Sequence, residues 1–328
     1  MPGAPVQDRL SAPVLQALHE ASEQGALTGY LAPEGRVAEL LHELGERPLA
    51  VLDRLVLATG PRQDPAWCAN RWLDPRVRSI ASIKDAVRTL RDMQRNWVPY
   101  ATRLHRRTAL IEAQLPHVSA HPIRFPEPPP TAPLGSFTLL APDVLLAAPT
   151  CDSPVPHGAY RFVEDHEGPP SRAYLKLYEA LTRYGAHPGP GDRCLDLGAS
   201  PGGFTWVCQR LGASVLAVDK APLDPRIAAL PRVRSVTQSA FALAPADVEP
   251  VDWLLSDVVC YPKRLMALIA RWIASGRARR IVATVKLQGE GNTAVAPDLN
   301  RIPDGRAVHL HHNKHELTFF WPASRTPR

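Results

Sequence analysis

CLDLGASPGGF, Cys194 to Phe204, sets a short apolar run against a turn that holds three glycines and a proline. The run reads as a buried strand, and GGFTWVCQRLG after it reads as a helix opened by Gly202 and Gly203. A strand, a glycine turn and a helix in that order bring backbone close to a ligand. The turn alone leaves the ligand open, because glycines that merely pack a helix tightly against a strand give the same pattern.

The flanking sequence repeats the alternation. SRAYLKLYEALTRYG reads as a helix capped by Ser171 and stopped by Gly185. SVLAVD, RVRSVT, VDWLLSD and RIVATVK read as strands, and YPKRLMALIARWIASG between the last two as an amphipathic helix. Apolar strands interleaved with helices predict a parallel sheet covered on both faces: an α/β, Rossmann-like, doubly wound domain over residues 156–328.

Residues 1–155 read differently, as a smaller, partly helical α+β domain. About 1 to 125 is mostly helical in expectation: VAELLHEL (Val37 to Leu44) has helical spacing and stops at Gly45. A second helix is expected from Ser82 to about Trp97, with Ala86, Leu90, Met93 and Trp97 on one side and Lys84, Arg88, Arg91 and Arg95 on the other. RFPEPPPTAPLG (124–135) cannot hold a helix, since proline removes amide donors, and reads as a stiff linker. SFTLLAPDVLLAAP reads as strand, turn, strand.

The chain has 328 residues, enough for two cores, a net charge of +6 and a pI near 9.2. The basic balance favours a polyanionic partner without proving one. Five scattered cysteines without a C-x-x-C pair suggest neither a disulfide framework nor a zinc site. With no apolar run long enough for a membrane and no signal-like opening, the expected location is cytoplasmic.

In an open α/β sheet the ligand lies outside the carboxyl ends of the strands. There Asp196, Gly198, Ser200, Pro201, Gly202, Gly203 and Phe204 form the first turn, and Asp219 ends the next strand, where a carboxylate can accept from ribose hydroxyls. A nucleoside-bearing cofactor follows. The dinucleotide fingerprint G-x-G-x-x-G is not met, and no G-K-[ST] pair cradles a triphosphate. The pattern D-x-G-x-x-P-G-G instead resembles the first motif of S-adenosylmethionine-dependent methyltransferases.

DLGASPGGF together with SRAYLKLYEAL, WLLSDVV, IVATVKL and HELTFF resembles the FtsJ-type ribose 2′-O-methyltransferases of RNA, those acting on large-subunit ribosomal RNA above all. The resemblance covers roughly residues 156–320. GYLAPEGRVAELL, WCANRWLDP and LLAPDVLLAAPTCDSP are faintly similar to a THUMP-containing RNA-binding half, which makes residues 1–155 a degenerate, ferredoxin-like RNA-binding domain in expectation. The family's Lys-Asp-Lys-Glu tetrad falls on Lys176, Asp257, Lys286 and Glu316. The implied cofactor is S-adenosyl-L-methionine, held by the turn residues with Ser171, Asp219 and Asp257. The implied partner is ribosomal RNA, with no metal and no membrane.

In that family the second lysine, here Lys286, is the proposed base that takes the proton of the attacking hydroxyl. An ordinary lysine has a pKa of about 10.4, and freeing its amine at pH 7 costs about 4 to 5 kcal/mol. Its pKa is therefore expected to fall, through burial and the charge of Lys176, against the opposing pull of Asp257 and Glu316. Two departures stand out: Ser239, where relatives tend to carry an acid near the adenine, and the proline-broken LQGEGNTAVAPDLNRIPDG after Lys286. They motivate the alternative of a non-catalytic RNA-binding or assembly factor. A nicotinamide oxidoreductase ranks last, because the diphosphate loop is wrong.

For RNA, Arg76, Arg78 and the run Arg103 to Arg107 extend the basic helix face, and Trp72, Trp97 and Tyr100 among them are candidate stacking platforms, although core packing suits Trp97 better. His309, His311, His312 and His315 read as strand and loop residues rather than metal ligands.

Overall fold

The computed structural model describes residues 10–287 and 295–323, and the chain divides into two compact units. The first is residues 1–122 with 129–161, and the second is residues 123–128 with 162–328.

Among the described residues the first unit holds four helices, α1 (Ala12–Glu23), α2 (Val37–Leu44), α3 (Ile83–Met93) and α4 (His105–Glu112). Its strands are β1 (Leu27–Leu31), β2 (Pro48–Leu52), β3 (Leu55–Thr59), β4 (Asn70–Leu73), β5 (Arg76–Ser79), β6 (Trp97–Pro99), β7 (Gly135–Ala141), β8 (Val144–Ala148) and β9 (Thr150–Cys151). They form two sheets, β2-β3-β1-β4-β9 and β5-β8-β7-β6. The mostly helical expectation for residues 1–125 is thus corrected, since six strands lie between Leu27 and Pro99. Each is three to five residues long, and runs such as LTGYL are buried throughout, so no polar alternation betrays them.

α3 ends at Met93, and Trp97 sits in β6. Its ring is still in the core, with Nε1 donating to the carbonyls of Leu90 and Gln94. Trp72 is wholly buried, and Tyr100, 8% exposed, donates its hydroxyl to Asp53 at 2.6 Å. None of the three rings presents a face for a base, so the stacking expectation fails for all of them. The start of the 124–135 stretch is more than a linker: Phe125 stacks on Tyr178 with centroids 4.1 Å apart, and Ile123 just before it bridges to Phe162, inside the second unit.

The second unit follows the predicted alternation closely. It runs α5 (Ala173–Tyr184), β10 (Arg193–Leu197), α6 (Gly203–Arg210), β11 (Ser214–Asp219), α7 (Pro225–Ala228), β12 (Val233–Thr237), β13 (Val251–Ser256), α8 (Pro262–Ser275), β14 (Ala278–Lys286), α9 (Val295–Asn300), β15 (Arg306–Val308) and β16 (Glu316–Trp321). Its sheet has the order β12-β11-β10-β13-β14-β16-β15, in which β16 alone runs antiparallel to the other six strands. β10 has β11 on one side and β13 on the other, so the strand order reverses there and opens a crevice at the strands' carboxyl ends. The antiparallel register of β14 and β16 pairs Lys286 directly with Glu316. Gly185, at φ 78°, stops α5 by donating its N–H to Leu181 and Thr182, whereas Ser171 makes no capping bond.

Candidate functional site

The glycine turn is held by backbone that its neighbours fix. The N–H groups of Gly198 and Ala199 both reach the Val218 carbonyl of β11. Ser200 N–H donates to one Asp219 oxygen at 3.0 Å and Ala221 N–H to the other at 3.0 Å. Gly198 has φ +79°, and a Cβ there would lie 2.6 Å from the Cα of Val258, the residue after Asp257. Only glycine lets the turn come that close to the end of β13.

Beside this turn lies a cavity of about 300 Å³ whose lining includes Gly198, Ser200, Asp219, Ser239, Phe241 and Asp257. Lys220 and Arg264 contribute cationic groups, and the Arg264 guanidinium sits 3.9 Å over the Phe241 ring. Gly198, Ser200, Asp219 and Asp257 were expected here from sequence. Phe241 and Arg264 were not, although both follow strand ends on the same side of the sheet. Ser239 is in the lining, and its hydroxyl accepts from Phe241 N–H at 3.3 Å.

The remaining expected cofactor residues, Ser171, Asp196, Pro201, Gly202, Gly203 and Phe204, do not line this cavity. Gly202, Gly203 and Phe204 are buried at the start of α6, while Pro201 is exposed. Asp196 is fully buried: one carboxylate oxygen accepts from Thr205 Oγ1 at 2.7 Å, and the other has no partner among the described residues. Burial, reinforced by Asp257 and Asp219, pushes its pKa up to about 7. The Ser171 hydroxyl is likewise buried without a partner among the described residues. It lies where a Cβ on Gly203 would come within 3.1 Å. Neither group lines the cavity; there the carboxylates of Asp219 and Asp257, beside a turn that only glycine can form at 198, fit a ligand carrying hydrogen-bond donors, as the expected cofactor does.

The four charged residues converge. Lys176 of α5 reaches Asp257 at 3.2 Å and Glu316 at 2.6 Å. Lys286 at the end of β14 reaches Asp257 at 2.6 Å and Glu316 at 2.7 Å. Each carboxylate therefore bridges both ammonium groups. The placement follows from topology: Asp257 leaves β13 beside the turn, with its N–H on the Leu197 carbonyl, and β14 and β16 set Lys286 against Glu316. Lys176 and Glu316 are each 7% exposed, so this charge cluster is largely removed from water.

The predicted fall in the Lys286 pKa is not what this structure shows. Burial works in that direction, but Asp257 and Glu316 outweigh it and raise the pKa above the ordinary lysine value. For Glu316, burial pushes the pKa up, and the two lysines more than compensate, holding it below the ordinary carboxylate value. The resting cluster is thus an ion quartet with Lys286 protonated. Two carboxylates at hydrogen-bond distance outweigh both the burial of Lys286 and the nearby charge of Lys176.

His309, His311, His312 and His315 lie in the turn between β15 and β16, and the described residues contain no group of three or more His, Cys, Asp and Glu able to hold a metal. Of the segment after Lys286, residues 288–294 lie outside the described residues, and 295–300 form α9. Among the described residues no helix is long and apolar enough to cross a membrane.

Residues 169–281 match the family model of the FtsJ-like methyltransferases. The chain is 35% identical over 164 residues to the ribosomal RNA large subunit methyltransferase M of Aromatoleum aromaticum, covering 45% of this chain and 44% of that protein. It is 36% identical over 159 residues to the protein of the same name from Halorhodospira halophila, covering 46% of each. The chain therefore spans about half the length of these relatives. Among solved structures, Aeropyrum pernix fibrillarin with natively bound S-adenosyl-L-methionine aligns at 17% identity with a TM-score of 0.35, over 56% of this chain and 81% of that one. The resemblance read in the sequence is thus matched by that family model over residues 169–281.

Proposed function

We propose that the chain is an S-adenosylmethionine-dependent RNA ribose 2′-O-methyltransferase acting on large-subunit ribosomal RNA, with Lys286 as general base. The observation that carries this reading is the meeting of Lys176, Asp257, Lys286 and Glu316 within 2.6–3.4 Å contacts, with Asp257 also lining the cavity beside the glycine turn. S-Adenosylmethionine, when bound, supplies an electrophilic methyl group on a cationic sulfur. Gly198, Ser200, Asp219 and Asp257 would hold it, with Ser171, Asp196, Pro201, Gly202, Gly203 and Phe204 shaping the turn beneath.

The residues of the quartet divide the work. Lys286 can accept a hydroxyl proton only after releasing its own, which costs more than the roughly 4 to 5 kcal/mol of an unshifted lysine while both carboxylates grip it. Asp257 belongs to both the cavity and the quartet, so positive charge brought against it from the cavity weakens its hold on Lys286 and lowers that cost. Lys176 shares both carboxylates and fixes their direction. Glu316 orients Lys286 across the β14–β16 pair. Alignment of hydroxyl and methyl supplies much of the remaining acceleration.

RNA affinity comes from exposed cations in the first unit. Lys84, Arg88, Arg91 and Arg95 are all exposed on or just beyond α3, while Arg106 is exposed on α4. Contacts to phosphate from such groups are salt-sensitive and independent of sequence. The test is transfer of tritiated methyl from S-adenosylmethionine to total RNA from cells lacking this gene. Label in large-subunit RNA as 2′-O-methylnucleoside supports the reading, and cofactor binding with no label in any RNA defeats it.

A further inference from the structure

α5 carries a second buried charge that the quartet does not use. Glu179, one turn after Lys176, is 0% exposed. Leaving a carboxylate in such a place uncompensated costs several kcal/mol, so its partners matter. One oxygen accepts from His311 N–H at 2.8 Å and faces Arg183 Nη1 at 3.4 Å. The other accepts from His312 N–H at 2.9 Å and lies 2.9 Å from His312 Nδ1, which must carry the proton toward a carboxylate. Arg183 also donates to the His309 carbonyl at 3.1 Å. Burial pushes Glu179 toward the neutral form, but His312, Arg183 and the backbone donor hold its pKa below the ordinary value.

All of these donors except Arg183 belong to the turn that leads into β16, whose first residue is Glu316. Within the turn, Asn313 accepts from Leu310 N–H at 2.8 Å and extends its amide toward Glu316 Oε1 at 3.4 Å. The same Glu316 oxygen takes Lys176 at 2.6 Å. α5 is therefore joined to the start of β16 twice, once through Lys176 to Glu316 and once through Glu179 to the backbone of residues 311 and 312.

We propose that Glu179 and His312 are positioning residues that lock the β15–β16 turn to α5, so that Glu316 meets Lys176 and Lys286 in one arrangement. The proposal rests on the reading of Lys286 as the base. Loosening the lock moves Glu316 away from Lys286 and leaves Asp257 as the one carboxylate of the quartet close to it. A lysine relieved of one of two carboxylate partners releases its proton at lower pH. A merely structural role would instead lower the folded fraction and leave the lysine's titration where it was.

The experiment uses the full chain with lysines ¹³C-labelled at Cε, and the Lys286 resonance is assigned by its absence in Lys286→Arg. Its NMR titration is followed in wild type, His312→Ala and Glu179→Gln. His312→Ala keeps both backbone donors to Glu179 and is the variant expected to stay folded if Glu179→Gln does not. The expected result is a Lys286 midpoint lower by about half a unit or more in His312→Ala, with a methyl-transfer rate down about tenfold at unchanged cofactor affinity, because lost alignment of the amine outweighs the smaller cost of freeing it. An unmoved Lys286 midpoint in folded His312→Ala overturns the proposal, whatever the rate does. Because the titration needs no turnover, a wild type that transfers no methyl group defeats the functional reading separately.

Discussion

Replacing Gly198 with alanine tests the cradle at its tightest point. The residue has φ +79°, where an L-side chain costs roughly 1–2 kcal/mol. The added Cβ would also meet Val258 Cα at 2.6 Å, Val258 N at 2.8 Å and Val258 Cβ at 2.9 Å. Carbon atoms in comfortable contact sit about 3.5–4.0 Å apart, so the turn or the end of β13 must retreat by about 1 Å. Val258 follows Asp257 directly, and the retreat disturbs the one residue shared by cavity and quartet. The backbone term alone lowers the melting temperature by about 2–8 °C for a unit of this size. The displaced wall weakens S-adenosylmethionine binding at least about tenfold, or about 1.4 kcal/mol. Gly189→Ala is the matched control, with nothing within 4 Å of its added Cβ and no positive φ. Calorimetric titration and scanning calorimetry of both variants decide the matter. Gly198→Ala that binds the cofactor and melts like Gly189→Ala would mean that the turn does not need glycine at 198.

Further outcomes follow from the same geometry. Lys286→Arg keeps the charge between Asp257 and Glu316 but cannot act as a base, so single-turnover methyl transfer should fall by about 10²–10⁴ with cofactor affinity retained. Asp196 has its folded pKa raised to about 7 against an ordinary value near 3.8, so protonation favours the fold below about pH 4 and that stability is lost as pH rises through 7. The loss amounts to at most about 4 kcal/mol, and Asp196→Asn should melt above wild type at pH 8 and level with it at pH 4 by scanning calorimetry. Changing Arg88, Arg91 and Arg95 together to serine should weaken RNA binding and reduce the slope of log affinity against log salt by up to about 2, read by filter binding across a salt series.

The second unit was legible because its central strands, β10, β11, β13 and β14, are apolar runs separated by helices, and residues at strand ends inherit their position from the sheet. That is why Asp257 and Lys286 could be placed beside the glycine turn, and the β14–β16 register explains Glu316 as well. The first unit was less legible. Strands such as Trp97–Pro99 are too short to show a period, and Trp72 and Tyr100 look like surface aromatics among arginines until the sheets that bury them are known. Electrostatics was the least legible part. Whether Lys286 is pushed up or down depends on two contacts near 2.6 Å, and spacing in sequence carries no such distances. Glu179 escaped for a related reason: a glutamate in an amphipathic helix reads as solvated until the turn that folds over it is seen.

Mapping ribose 2′-O-methylation across total RNA, in cells with and without this gene, decides whether the chain methylates large-subunit RNA. One large-subunit position is expected to lose its methyl group on deletion, regain it with the wild-type chain and stay bare with Lys286→Arg. A methylation map unchanged by deletion, or fully restored by Lys286→Arg, would contradict this expectation.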